Sequence, residues 1–488
     1  MPRRSAAHSS SPRFRCVASF LALTLFASLA GAHSTHAPTD FDLAGDWQGT
    51  LSARGATLRI VFHFVSDDGD WSATMDSVDQ GALGIPAAGV DFDEGRVTVA
   101  VPTIGGRYVG TVLADGTIDG TWSQGGARLD LDLERQITEI VLSRPQEPKE
   151  PFPYRSLEVR FSSDAEGVTL AGTLTVPEGD GPFPAVALVS GSGAQDRDST
   201  LMGHRPFLVL ADHLTRRGIV VLRYDDRGVG QSTGNFGTST TEDFALDAAG
   251  AVALLDSRDD VASVGLVGHS EGGLIAPLVA VDSDLLDFAV LLAPPVLSGR
   301  RTLVEQGAET FERSGMGRDW IARHREIHDA VFEAVVTDAP DAELTSAIDA
   351  LITHQTLGSG PTGEQRQAQI DGQKQALTSP WFRFFLVHDP VPVLAGVEQP
   401  ILALFGAKDF QVDPALHEPA LEAALDGHDQ AEIETLDGLN HLFQTAETGL
   451  LDEYGKIEET FAPVALERIS GWILATVEPA DEPSPSDG

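Results

Sequence analysis

Two segments of the chain match the pattern G-x-S-x-G, which can surround a nucleophilic serine. Residues 230–234 contain Ser232, and residues 268–272 contain Ser270. A serine on a sharp turn between a strand and a helix can act as a nucleophile, because the turn exposes its hydroxyl group and the helix N-terminus faces the developing negative charge. The chain has 49 glycines, so the pattern arises easily by chance and the flanking sequence must distinguish the two serines.

The flanking sequence favours Ser270. An apolar run at residues 264–267 is typical of a strand and leads into it, and the apolar residues 271–280 that follow suit a helix. The apolar run before Ser232 ends near residue 222, and no helical pattern follows it directly. The sequence therefore predicts Ser270 as the nucleophile. The alternative is that Ser270 only caps the N-terminus of an ordinary helix.

A serine hydroxyl group needs a base, and the base needs an acid that orients it. Asp409 follows the apolar run 401–405, and His441 follows the candidate strand 432–436. We expect His441 to be the base and Asp409 to be the acid. Asp413 is the alternative acid, although it could equally cap the following helix.

Stabilising the oxyanion of an acyl-transfer reaction requires backbone N–H groups. One donor should be the residue after the nucleophile, Glu271. The other should follow the strand 185–189, where residues 190–193 read Ser-Gly-Ser-Gly and allow close approach of the backbone. We assign the second donor to Ser192; the alternative is a plain glycine turn.

The elements that position these residues alternate between apolar runs and helical patterns from about residue 157. This alternation predicts an α/β domain with a mostly parallel sheet over residues 157–297 and 397–478. Residues 298–396 interrupt it and are interpreted as an inserted helical cap. Large side chains of the cap are expected either to line the substrate pocket or to pack the cap helices together: Phe311, Trp320 and Phe332.

Residues 40–143 predict a small antiparallel β domain, because short alternating segments are separated by regular turn signals. Its core is expected to contain Trp47, Trp71 and Trp122. Residues 144–156 include four prolines in nine residues and predict a stiff linker. The acidic tail, residues 479–488, is expected to be disordered.

The N-terminal residues 1–32 predict a signal peptide, with arginines, an apolar run at residues 17–29 and small residues at the expected cleavage site. We therefore expect the protein to be exported to the periplasm or beyond, without stable membrane insertion after cleavage. An uncleaved anchor is the alternative.

Several segments together resemble the α/β-hydrolase superfamily: residues 190–193, 223–232, 268–273, 406–409 and 440–441. Within it, the chain is similar to serine aminopeptidase-like and dienelactone hydrolase-like esterases, including secreted carboxylesterases with an extra N-terminal domain. The resemblance implies an α/β-hydrolase fold, a Ser-Asp-His triad of Ser270, Asp409 and His441, and no metal or organic cofactor. Many relatives have histidine where this chain has Ser190.

Composition narrows the possible partners. The chain has 33 basic and 73 acidic side chains in 488 residues, a formal net charge of −40. Such a charge disfavours nucleic acids and anionic membrane surfaces. The single cysteine, Cys16, excludes a disulfide framework and a cysteine-rich metal site.

Taken together, the motifs and the resemblance predict a serine hydrolase that cleaves small carboxylic esters through an acyl-enzyme. Alternatives are an aminopeptidase-type peptidase on short peptides and a non-catalytic binding protein on the same scaffold.

Overall fold

The computed structural model describes residues 41–53, 56–67, 70–78, 82–124, 127–136, 143–358 and 362–477. The expected signal peptide and acidic tail lie outside these residues. No helix within the described ranges is long and apolar enough to cross a membrane.

The described N-terminal residues form two antiparallel sheets. Their strands are β1 (Gly45–Ala53), β2 (Ala56–Asp67), β3 (Asp70–Ser77), β4 (Ala82–Pro86), β5 (Gly89–Asp93), β6 (Arg96–Val101), β7 (Gly106–Val112), β8 (Ile118–Gln124), β9 (Ala127–Asp130) and β10 (Glu134–Arg135). One sheet has the order β10-β1-β2-β3-β4 and the other β5-β6-β7-β8-β9. Trp47 and Trp122 are fully buried in the shared core, as expected. Trp71, near the start of β3, is only half-buried and packs edge-on against Phe92.

A third sheet, of eight strands, carries the α/β domain. Its strands are β11 (Tyr154–Ser162), β12 (Thr169–Pro177), β13 (Phe183–Val189), β14 (Val220–Tyr224), β15 (Val261–His269), β16 (Phe288–Leu292), β17 (Ile401–Gly406) and β18 (Ala431–Leu436). The order is β11-β12-β14-β13-β15-β16-β17-β18, and β12 runs antiparallel to both of its neighbours. From β14 to β18 every pair is parallel. The predicted mostly parallel sheet is therefore confirmed.

The sequence did not predict strands β11 and β12. Strand β11 lies at the sheet edge, where charged side chains such as Arg155, Glu158 and Arg160 are exposed or half-buried, so it lacks the continuous apolar run of the central strands. It begins at Tyr154, inside the segment expected to be linker.

Helices cover both faces of this sheet. They are α1 (Pro206–Arg216), α2 (Thr241–Asp256), α3 (Gly272–Asp282), α10 (Pro414–Ala424), α11 (Leu451–Tyr454) and α12 (Pro463–Val477). On β13, Ala185 and Ala187 face the core layer that includes α2 and α3, whereas Val186 and Leu188 face the layer that includes α1 and α12. Because both faces are buried, the central strands are apolar throughout.

Residues between β16 and β17 form the cap. Its helices are α4 (Gly299–Arg313), α5 (Arg318–Val336), α6 (Asp341–Gln355), α7 (Gly363–Leu377), α8 (Pro380–Val387) and α9 (Val391–Leu394). Phe332 is 1% exposed within the cap's own core. The rings of Phe311 and Trp320 pack against each other with centroids 4.6 Å apart. These side chains therefore pack cap helices together.

The start of the linker is bound to the α/β domain. The Arg144 guanidinium donates hydrogen bonds to the carbonyl oxygens of Met202 (3.2 Å), Gly203 (3.0 Å), Gly455 (2.8 Å) and Ile457 (3.0 Å). A single side chain thus joins two loops of the α/β domain that are far apart in sequence.

The cap core contains stacked histidine rings. His324 is fully buried and lies parallel to Trp320, with centroids 5.4 Å apart, and its ring is 5.2 Å from that of His328. Both ring nitrogens of His324 and Nδ1 of His328 have no hydrogen-bond partner among the described residues. Burial lowers the pKa of both side chains to about 4.

We expect the protein to lose stability as the pH falls from about 6.5 towards 4, and part of that loss to come from these two rings. An unfolded histidine titrates near ~6.5, so the unfolded chain binds more protons than the folded chain in this range. The double variant His324→Phe, His328→Phe keeps an aromatic ring at both positions, but neither ring can take up a proton. Its melting temperature should therefore fall less over the same range. Equal pH dependence in both proteins would contradict the assignment.

Candidate functional site

Ser270 lies on the turn between strand β15 and helix α3. The strand ends at His269 and the helix begins at Gly272. Ser270 has a φ of +54°, in the left-handed region that non-glycine residues rarely adopt. A Cβ atom on Gly268 would lie 2.0 Å from the carbonyl oxygen of Gly272. Glycine is therefore required for strand and helix to approach this closely.

The hydroxyl group of Ser232 has a structural use. It donates to the carbonyl oxygen of Asp225 (2.7 Å) and accepts from the N–H group of Ala171 (2.9 Å). The first bond closes the loop after β14 on itself and the second fastens that loop to strand β12, so this hydroxyl group is already engaged in the scaffold.

Asp409 and His441 meet at the ends of β17 and β18. Nδ1 of His441 lies 2.7 Å from Oδ2 of the fully buried Asp409. The other carboxyl oxygen accepts from the backbone N–H groups of Gln411 (2.8 Å) and Val412 (3.0 Å). With Nδ1–H donated to the carboxyl group, Nε2 is the ring nitrogen left to accept a proton.

The alternative acid, Asp413, lies at the N-terminus of α10. Its side chain accepts from the N–H group of Ala415 at 3.0 Å, which is the geometry of a helix N-cap. The structure therefore pairs His441 with Asp409, and Asp413 caps a helix.

His269 links the nucleophile turn to His441. Its Nε2 atom lies 2.8 Å from the carbonyl oxygen of His441, and the two rings have centroids 4.8 Å apart. Burial, with the nearby His441 ring, lowers the pKa of His269 to about 3. A neutral His269 can donate to this carbonyl and hold the His441 loop beside Ser270.

The predicted oxyanion loop, residues 190–193, lies against Ser270. A Cβ atom on Gly191 would be 3.1 Å from Cβ of Ser270. Ser190, which stands where many relatives have histidine, donates its hydroxyl to Asp226 at 2.8 Å. The other oxygen of Asp226 accepts from the N–H group of Gln195, also at 2.8 Å. One carboxyl group therefore holds both ends of the loop that carries Ser192.

Asp226 was not identified from the sequence. Burial raises its pKa to about 7, because its two hydrogen bonds only partly offset the loss of solvent. Its position could have indicated it, because two adjacent aspartates, Asp225 and Asp226, directly follow strand β14. The neighbouring carboxyl group, Asp225, pairs with Arg197 at 2.8 Å.

Glu271 follows Ser270 and is the N-cap residue of helix α3. Its backbone therefore has the position expected of an oxyanion donor. Its side chain, to which the sequence assigned no role, is 2% exposed and accepts hydrogen bonds from Thr241 (2.7 Å) and Trp381 (2.6 Å).

The described residues contain no group of three or more histidine, cysteine, aspartate or glutamate side chains that could hold a metal ion. The structure brings together a strained serine turn, a buried His–Asp pair and a glycine-rich loop. All three lie at the carboxyl edge of the parallel strands, where this class of sheet binds its ligands. Such groups can carry out nucleophilic acyl transfer.

Comparison with known proteins finds similarity to one hydrolase family model and to one curated esterase. The family model described as serine aminopeptidase, S33, matches residues 205–355, which include Ser270 and the first three cap helices. The chain is also 29% identical over 322 residues to esterase EstD of Thermotoga maritima. The aligned part covers 66% of this chain and 69% of that protein.

Two solved structures align more distantly. An esterase of Pyrococcus furiosus has a TM-score of 0.41 and 13% identity, over 66% of this chain and 91% of that chain. Est1E of Butyrivibrio proteoclasticus, with bound ferulic acid, has a TM-score of 0.39 and 16% identity, over 65% of this chain and 99% of that chain.

The two candidate acids can be separated by the reactivity of Ser270 towards a fluorophosphonate probe. Asp409→Asn should slow labelling roughly 10³- to 10⁴-fold, because the His441 ring loses the acceptor that fixes its tautomer. Asp413→Ala should leave labelling within a few-fold and cost about 1 kcal/mol of stability through the lost helix cap. Rate constants from time-resolved mass spectra check this; a large loss in Asp413→Ala with none in Asp409→Asn would reverse the assignment.

Proposed function

We propose that the chain is a serine hydrolase of the α/β-hydrolase fold that cleaves carboxylic esters through an acyl-enzyme. The observation that carries the proposal is the buried His441–Asp409 pair at the same sheet edge as the Ser270 turn. The similarity to an esterase over two thirds of both proteins supports esters as the substrate class.

In the first half of the proposed reaction, Nε2 of His441 takes the proton of the Ser270 hydroxyl group as Oγ attacks the carbonyl carbon. The carbonyl oxygen becomes an oxyanion and accepts from the backbone N–H groups of Ser192 and Glu271. Asp409 holds the imidazole ring and stabilises the imidazolium that forms. His441 then gives its proton to the departing alcohol, which leaves Ser270 acylated.

In the second half, water attacks the acyl-enzyme. His441 takes a proton from the water, and the same N–H groups stabilise the second oxyanion. The acid product leaves and the Ser270 hydroxyl group regains its proton.

Cleavage of short peptides is the second candidate, since the matching family model is described as a serine aminopeptidase. It uses the same triad, and the difference lies in what the cap admits. Rates on p-nitrophenyl esters of graded acyl length and on aminoacyl p-nitroanilides separate the two. Turnover of the anilides alone would favour the peptidase.

Replacing the nucleophile should abolish turnover. Ser270→Ala should lower kcat on p-nitrophenyl esters by roughly 10⁴-fold or more, because the triad acts as a unit. Ser232→Ala is the matched control, since it removes the serine of the other G-x-S-x-G segment, and it should retain activity within a few-fold. Equal losses in the two variants, or full activity in Ser270→Ala, would contradict the proposed role of Ser270.

A further inference from the structure

The linker binds one particular loop of the α/β domain through Arg144. Its guanidinium group donates to the carbonyl oxygens of Gly455 (2.8 Å) and Ile457 (3.0 Å), in the loop between helices α11 and α12. It also donates to two carbonyl oxygens in the loop before α1. A planar guanidinium group can bind several acceptors at once in a fixed geometry. Arg144 therefore fixes the α11–α12 loop, residues 455–462, against the rest of the domain.

A second linker side chain binds the same loop. The amide oxygen of Gln146 accepts from the backbone N–H groups of Thr460 (2.6 Å) and Phe461 (3.0 Å). Its amide nitrogen donates to the carbonyl oxygen of Phe461 at 2.7 Å. The buried ring of Phe461 stacks on that of Phe443, with centroids 5.7 Å apart. The linker thus supplies hydrogen-bond partners to both ends of the α11–α12 loop.

The α11–α12 loop in turn supports the loop that carries His441, residues 437–446. The side-chain nitrogen of Gln444 donates to the carbonyl oxygen of Glu459 at 3.1 Å. The backbone N–H group of Thr445 donates to the carboxyl group of Glu459 at 2.7 Å. One residue of the α11–α12 loop therefore holds two residues of the His441 loop.

Gln444 is also bonded to the turn at His441 itself. The side-chain oxygen of Asn440 accepts from the backbone N–H groups of Leu442 (3.0 Å) and Gln444 (2.9 Å). The side-chain nitrogen of Asn440 donates to the side-chain oxygen of Gln444 at 2.9 Å. Both side chains are fully buried, so a lost partner is costly. A displacement of Gln444 therefore displaces the turn that carries His441.

The same region reaches the loop of the candidate acid. Tyr454, the last residue of α11, is fully buried and accepts from the side-chain nitrogen of Gln411 at 3.2 Å. The backbone N–H group of Gln411 is one of the two that bind Asp409. Tyr454 directly precedes Gly455, whose carbonyl oxygen Arg144 binds. The region that the linker holds is thus bonded to the loops of both His441 and Asp409.

We propose that Arg144 and Gln146 are positioning residues: the linker holds the α11–α12 loop in place, and that loop keeps the His441–Asp409 pair aligned beside Ser270. The linker then helps to align the proposed triad and is more than a spacer between two domains. This inference rests on the proposed function for its effect on turnover. The effect on the His441 loop concerns the free protein and can be measured without a substrate.

The first test compares amide hydrogen exchange in Arg144→Met and Arg135→Met. Both changes remove a guanidinium group that donates to backbone carbonyl oxygens, but Arg135 binds those of Asp42 and Ala44, in the β domain. Loss of Arg144 leaves carbonyl oxygens of the α11–α12 loop without donors, so local opening becomes easier. Exchange in residues 440–446 should therefore rise several-fold in Arg144→Met and stay unchanged in Arg135→Met.

Helix α6 of the cap is the internal reference for this measurement, because a general loss of stability would speed its exchange as well. Its exchange should be the same in Arg144→Met as in the wild-type protein. Unchanged exchange in residues 440–446 of Arg144→Met, or an equal rise in α6, would overturn the proposal.

The second test measures labelling of Ser270 by a fluorophosphonate probe and turnover of p-nitrophenyl acetate. Arg144→Met should lower the labelling rate and kcat roughly 10- to 100-fold with KM nearly unchanged, because a displaced base affects the transition state more than substrate binding. Arg135→Met should keep the wild-type rates. A change confined to KM, or equal losses in the two variants, would overturn the proposal.

The third test uses Gln146→Met, which also serves if Arg144→Met does not fold. This change removes the bonds to Thr460 and Phe461 and leaves Arg144 in place. It should raise exchange in residues 440–446 and slow labelling of Ser270, each by a smaller factor than Arg144→Met. Unchanged exchange and labelling in the folded variant would overturn the proposal.

A double-mutant cycle between Arg144→Met and Gln444→Met tests the route. Gln444→Met cuts the side-chain bond from the His441 loop to Glu459. If Arg144 acts through the α11–α12 loop, the two effects on the labelling rate should be clearly less than additive. Additive effects would overturn the proposal.

The outcomes separate the role of the linker from the proposed function. If the wild-type protein cleaves no ester but exchange in residues 440–446 responds to Arg144→Met, the esterase proposal fails and the positioning role stands. If esters are cleaved and Ser270→Ala is inactive, yet exchange does not respond, the positioning role fails and the esterase proposal stands.

Discussion

Three of the acidic side chains at the carboxyl edge of the sheet are buried or half-buried, and each must be supplied with hydrogen-bond donors. Asp409 receives His441 and two backbone N–H groups. Asp226 receives Ser190 and Gln195. Glu271 receives Thr241 and Trp381. Because an unsatisfied buried carboxyl group is costly, these requirements determine the paths of the loops around Ser270.

Because the loops around the site share these acids as hydrogen-bond partners, the position of one loop depends on the positions of the others. The loops after β13, β17 and β18 each make their polar contacts through a buried acid. A substitution at any of the three acids therefore alters the position of several backbone segments at once. The strain at Ser270 is tolerated because the surrounding contacts hold its turn from both sides.

Residues whose position depends on a strand end could be predicted from the sequence. Ser270 and Asp409 each follow an apolar run and His441 follows a candidate strand, so their meeting at one sheet edge follows from parallel strands. The roles of Asp226 and the Glu271 side chain could not be predicted. They depend on partners 30 to 110 residues away, which no local pattern identifies. Edge strand β11 was missed for a related reason, since it is buried only on part of one face.

The order of elements along the chain has a consequence for biosynthesis. The cap is inserted between β16 and β17, so many residues separate the Ser270 turn from the loop that carries His441. His269 and the carbonyl group of His441 that it contacts are 172 residues apart in the chain. A ribosome therefore completes the serine turn, the oxyanion loop and the whole cap before it makes strands β17 and β18. A nascent or nicked chain that lacks those two strands has a strained serine turn without the proposed base, His441. The last part of the sheet to be synthesised is thus the part that would make the proposed nucleophile reactive.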